Sequence, residues 1–81
     1  MKTIHDPRYA RIIKWLVAAR EAKDITVRDL AQKLGHTHSW VVKVENLDKK
    51  LDLLEFFDFC AALDVDPAPV FKQLLNKVDV E

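Results

Sequence analysis

Residues 25–46 read ITVRDLAQKLGHTHSWVVKVEN. Leu30, Ala31 and Leu34 recur at the three- and four-residue spacing of one helix face. Thr26 is suited to accept from orphan N–H groups at the start of that helix. Asp29, three residues on, can reach back in a variant of the capping box. Gly35, the single glycine of the chain, then stops the helix, because a stop often needs a left-handed residue. A second short helix follows at once. Thr37 is its predicted cap, Val41 and Val44 face inward with Trp40 bordering them, and the helix ends near Asn46. His38, Ser39 and Lys43 are left facing outward. Helix, tight glycine turn and helix make a helix-turn-helix, a motif whose second helix lies in the DNA major groove.

Working outward, Asp6-Pro7 predicts the start of a first helix, aspartate as N-cap and proline at the first helical position. Tyr9, Ile12, Ile13, Leu16 and Val17 form its stripe, and it fades near Lys23-Asp24. Beyond the motif, Asp52 with Glu55 is a second capping pair. The helix it opens carries Leu53, Phe56, Phe57, Cys60 and Leu63 on a wide apolar face, widened further by Leu54 and Phe59. A helix so apolar is either central or partly covered by a second copy. A fifth helix starts after Asp66-Pro67 or at Pro69, with Val70, Phe71, Leu74, Leu75 and Val78 on its apolar faces. No alternating run is bounded by hairpin turn residues. The predicted fold is all-α: one domain over residues 1–81, the helix-turn-helix at about 26–46, and helices four and five over about 52–78.

Composition narrows the function. With 81 residues, 49% hydrophobic and 32% charged, the chain fits a compact soluble globule rather than a disordered one. A core that small leaves stability marginal, and oligomerisation is a common remedy. No run approaches the ~18 apolar residues of a membrane span. The opening MKTIHDPRYA has no apolar signal region, and Cys60 is the lone cysteine, so a cytoplasmic, reducing location is expected. Net charge is zero but unevenly spread. Residues 1–50 hold 11 Lys/Arg and 6 Asp/Glu, whereas residues 51–81 hold 2 and 7. That split suggests a basic surface meeting an anion and an acidic remainder turned away from it.

The sequence resembles the Cro/lambda-repressor-type helix-turn-helix proteins, the XRE family. The matching stretches are ITVRDLAQKLG, HSWVVKVEN and KKLDLLEFFDFCAALDVDP, against a family pattern of approximately LTQEELAEKLG, QSYVSKVEN and RRLDVVEFLEIARALGVDP. The likeness covers roughly residues 8–75, and the opening MKTIHDPRY is similar to short stand-alone bacterial members. It implies a lambda-repressor-like five-helix domain that binds double-stranded DNA. It also implies roles position by position. His38 and Ser39 stand where base-reading side chains are found, and Lys43 matches a further base- or phosphate-reading position. Thr37 matches the small cap residue, Asn46 a phosphate-bonding residue at the helix end, and Lys49-Lys50 the basic pair of the following loop. Backbone N–H groups near Thr26 and Val27 can bind phosphate through the helix dipole. Arg20 and Glu45 match an inward salt bridge between the first and third helices.

Four departures stand out. Val27 replaces a usual glutamine, and Val42 replaces a polar residue, though it can touch a thymine methyl. Leu47 takes the place of a glycine, implying a turn of different shape. Trp40, larger than the usual serine or tyrosine, either packs on the sugar-phosphate backbone or covers the core.

Other constellations carry less. His36 and His38 are two ligands where a closed zinc site needs about four. Cys60 has no histidine near it in the predicted fold. Asp48, Asp52, Glu55 and Asp58 read as helix-capping and solvated carboxylates. The expectation is no catalytic residue, no metal and no cofactor. Phe56, Phe57, Phe59 and Phe71 read mainly as core. Phe59, Phe71, Leu74, Leu75 and Val78 are the candidates for contact with a second copy. The functional expectation is a sequence-specific DNA-binding regulator, a homodimeric repressor on a palindromic operator. The alternative is a protein-interaction module that kept the fold and lost strong DNA binding.

Overall fold

The computed structural model describes residues 5–77, with side chains as far as Gln73. Five helices follow one another with no strand among the described residues: α1 (Pro7–Ala22), α2 (Val27–Leu34), α3 (His38–Glu45), α4 (Leu53–Leu63) and α5 (Ala68–Lys77).

The helix ends are written in the sequence. Asp6 accepts from the backbone N–H of Arg8 at 2.8 Å, with Pro7 in the first turn. The Arg8 guanidinium, bonded to the same carboxylate, helps hold the Asp6 pKa down at about 2. Thr26 accepts from the Asp29 N–H at 3.0 Å, and the Asp29 carboxylate accepts in return from the Thr26 N–H at 3.4 Å. Thr37 accepts from the Trp40 N–H at 3.1 Å. Asp52 and Glu55 close the same reciprocal box at 2.7 and 2.9 Å. Gly35 ends α2 at φ +70°, with open space around the position a Cβ would take. Glycine is therefore required there by backbone conformation rather than by crowding.

The core lies where α1, α2, α3 and α4 meet. Ile13 and Leu16 enter it from α1, Leu30 and Ala31 from α2, Val41 and Val44 from α3, and Phe56, Phe59, Cys60 and Leu63 from α4. Burial, together with the nearby Asp66 charge, pushes the Cys60 thiol up, so it stays protonated as a packing group. The C-terminal end of α4 has no basic residue in its own last turn. Two lysines from elsewhere supply the missing charge. Lys23 donates to the Asp64 carbonyl at 2.8 Å and Lys33 to the Ala62 carbonyl at 3.4 Å. Cations at that end complement the helix dipole.

Helix α4 corrects two expectations. Leu53 and Phe57 do not join its buried face. They are 60% and 40% exposed, and Leu54 is 72% exposed. Phe59, expected at a contact between copies, is 1% exposed and sits inside the core against Trp40. A monomer-core residue has no surface to offer a second copy. The physical reason is that Glu55 and Asp58 are the only polar residues of α4, so its apolar arc is wider than one buried stripe and does not by itself say which part faces inward. The orientation is set by which stripe fits α1, α2 and α3. Helix α5 seats its first turn on the body through buried Val70 and half-buried Phe71, whose ring lies edge-on to Phe56. The side chains of Leu74 and Leu75, and all of Val78, lie outside the described residues.

Candidate nucleic-acid interface

Helices α2 and α3 are held by their inner stripes. Leu30, Val41 and Val44 are fully buried, which turns the opposite side of α3 outward. His38, Ser39 and Lys43 stand on that outer side, all exposed, with Val42 half-buried between them. The spacing 38, 39, 42, 43 and 46 is that of one helix face. Thr37 caps the helix at one end, and Asn46, exposed, caps it at the other. The face therefore presents a hydroxyl, an imidazole, an ammonium and an amide, groups that can bond base edges or phosphates.

The loop that follows is folded back onto α3. The Lys43 carbonyl accepts from the Asp48 N–H at 2.8 Å and from the Lys49 N–H at 3.2 Å. This places Lys49 against the end of α3, with exposed Lys50 beside it in sequence. Leu47 makes the turn at φ +65°. A leucine thus takes the left-handed conformation more usual for glycine. That conformation costs a branched residue about 1–2 kcal/mol. The half-buried Leu47 side chain packs against the core. On the far side of the loop, the Tyr9 hydroxyl accepts from the Leu51 N–H at 2.9 Å, anchoring the loop to α1. Burial raises the Tyr9 pKa, so the phenol stays neutral.

At the start of α2, Thr26 is exposed and Val27 half-buried against the core. Val27 thus serves packing. Arg28, which the sequence reading passed over, is exposed in the first turn of the same helix. A cation there opposes the helix dipole, and that local mismatch is the signal that marks it.

Trp40 is half-buried. Its indole stacks on the His36 imidazole with ring centres 3.6 Å apart and planes within 8°, and it leans on Phe59 at 5.8 Å. Of its two expected roles, covering the core is the one this packing describes. His36 and His38 are not part of any group of three or more metal-ligating side chains among the described residues.

Arg20 and Glu45 form a bidentate pair. Arg20 Nε donates to Glu45 Oε2 at 2.7 Å and Nη2 donates to Oε1 at 3.0 Å. Arg20 Nη1 also donates to the Ile25 carbonyl at 2.8 Å, and both side chains are only 13% exposed. One guanidinium therefore ties α1, the entry to α2 and the end of α3 together. It fixes how α3 projects from the body.

Comparison with known proteins agrees with this geometry. A helix-turn-helix family model matches residues 16–70. A solved structure of an XRE-family like protein from Pseudomonas syringae pv. tomato str. DC3000 is similar, with a TM-score of 0.81 and 40% sequence identity. The likeness covers 91% of this chain and 90% of that one. No curated protein matches the chain. No helix among the described residues is long and apolar enough to cross a membrane. The chain belongs to the XRE-family helix-turn-helix proteins, a family of DNA-binding transcription regulators.

Proposed function

We propose that the protein is a sequence-specific regulator that binds a palindromic operator as a homodimer and represses by occupying it. The observation that carries this reading is the outer face of α3, where His38, Ser39 and Lys43 are exposed opposite fully buried Val41 and Val44. In this reading His38, Ser39 and Lys43 address base edges in the major groove, and Val42 meets a thymine methyl. Thr37, Asn46, Lys49, Lys50 and the backbone N–H of Val27 hold phosphates, the Thr26 N–H being already given to Asp29. Arg28 supplies beside that helix start the side-chain contact that Val27 lacks. Trp40, on the flank of α3, packs on the core against Phe59 and helps seat the helix. One short helix reads only a few base pairs, so two copies reaching successive major grooves, about 34 Å apart, are needed for a useful address. Repression by occupancy asks nothing further of the chain.

Fluorescence anisotropy on duplex DNA over a salt series tests the reading. Several phosphate contacts predict a steep fall of affinity with salt. Lys43→Ala should cost about 1–3 kcal/mol on the preferred sequence and relax the choice at one or two positions. Weak binding with a shallow salt slope, unchanged by Lys43→Ala, would favour the protein-interaction module instead.

A further inference from the structure

We infer that His36 is a further phosphate-binding residue, its imidazole held flat on Trp40 at the edge of the outer face of α3, and that its protonation ties DNA affinity to pH. The inference rests on the DNA-binding reading above and adds to its surface a side chain that reading does not use.

Three observations lead there. The first is the stack. The exposed His36 imidazole lies on the Trp40 indole with ring centres 3.6 Å apart and planes 8° from parallel. The indole is itself seated on the core, its centre 5.8 Å from that of the Phe59 ring. The backbone of His36 is held as well. Its N–H donates to the Ala31 carbonyl at 3.0 Å, directly after the left-handed stop at Gly35. A side chain fixed in this way has little freedom left to lose when it meets a ligand.

The second is place. Trp40 comes four residues before buried Val44 and three before exposed Lys43. Residues at those spacings are neighbours on a helix surface, so Trp40 stands on the border between the buried stripe and the outer face. The imidazole stacked on it is carried at that border. His36 also directly precedes Thr37, the cap of α3. The first residues of a recognition helix are those that reach into the groove, and phosphates wall the groove on either side.

The third is chemistry. The hydrogen bonds of the turn run from the His36 and Trp40 backbone N–H groups, and the ring nitrogens of His36 are in none of them. The charged and titratable groups around the stack are Lys33 at the end of α2, His38 and Lys43 on α3, and Asp58 next to Phe59 on α4, all exposed. The ion pairs among the described residues, Arg8–Asp6 and Arg20–Glu45, involve neither the imidazole nor any of these. Histidine is the side chain that changes charge between about pH 5 and pH 8. An imidazolium over an indole face makes a cation–π contact, and a phosphate beside it favours the charged form. DNA binding therefore takes up a proton at His36.

Fluorescence anisotropy on a mixed-sequence duplex, at about pH 6 and about pH 8 and at one ionic strength, tests the assignment. The wild type is expected to bind about fivefold tighter at the lower pH. His36→Phe keeps an aromatic ring on Trp40 and removes the proton. Its affinities at the two pH values should agree within about twofold, and its salt slope at the lower pH should fall by about one unit. His38→Gln should lower affinity yet keep the gain, which assigns the gain to His36. Asp58→Asn should keep it too, which excludes a pairing within the protein. If His36→Phe retained the gain, or if either of the other variants abolished it, the inference would fail while the DNA-binding reading stands. A wild type that binds weakly with a shallow salt slope at both pH values would overturn that reading, and the role of His36 with it.

Discussion

Helices α3 and α4 start alike and differ on their outer sides. Each is opened by a side-chain cap, Thr37 for one and Asp52 for the other, and each buries a stripe in the same core. Outside, α3 shows His38, Ser39 and Lys43, whereas α4 shows Leu53, Leu54, Phe57 and Asp58. A polar, cationic outer side suits a hydrated polyanion whose sequence is read by hydrogen bonds. An apolar outer side with charges at its ends suits a surface that water leaves on contact. The contrast sets a polar, cationic outer side beside an apolar one on neighbouring helices, within a chain that has little core to spare.

The largest expected effect probes that contrast with the same substitution in both regions. Leu30→Ala, at a fully buried site behind the recognition helix, should cost about 3–5 kcal/mol in urea unfolding. Leu54→Ala, at a site 72% exposed, should change the stability of the monomer by less than about 0.5 kcal/mol. Equal losses would mean that the outer face of α4 is structural in the monomer.

Next comes the tie that aims α3. Glu45→Ala leaves a guanidinium at 13% exposure with one carbonyl partner. Breaking a fully buried pair costs about 3–5 kcal/mol, and the residual solvent access here lowers the expected loss to about 2–3 kcal/mol. Asp58→Ala, on the outer side of α4, should have almost no effect on the monomer. A loss at Glu45 no larger than that at Asp58 would remove Arg20 from the positioning of the recognition helix. Smaller still are the caps. Thr37→Ala and Asp52→Ala should each cost about 1 kcal/mol. Matching values would show that the two helices are started equally well and differ only in what they display. A markedly smaller loss at Asp52 would show that α4 is held by burial alone.

Much of this was legible in the sequence, for reasons tied to particular residues. The caps at Asp6, Thr26, Thr37 and Asp52 are local hydrogen-bond chemistry, and Gly35 marks a left-handed stop wherever the chain sits in space. Leu30 and Ala31 stand out because Arg28, Asp29, Gln32 and Lys33 flank them, and Val41 and Val44 because of their helical spacing. The Arg20–Glu45 tie spans 25 positions, and only the family likeness pointed to it. The orientation of α4 was not legible. With leucine and phenylalanine over most of its circumference, its periodicity admits several inward faces. Only packing against α1, α2 and α3 selects Phe56, Phe59, Cys60 and Leu63, leaving Leu53, Leu54 and Phe57 outside. The left-handed turn at Leu47 was hidden for a related reason, since a leucine gives no local hint of a positive φ. Arg28 was visible in the sequence and was passed over, since a lone arginine in a first helical turn carries no spacing signal.

The most direct measurement is a selection of random duplex DNA on the purified protein at about 0.1 M salt, followed by sequencing. The enriched pool should contain a palindromic motif, its two half-sites about one helical turn apart, from which Lys43→Ala erases one or two positions in each half. A pool with no enriched motif, bound weakly and equally by the wild type and Lys43→Ala, would contradict reading by the outer face of α3.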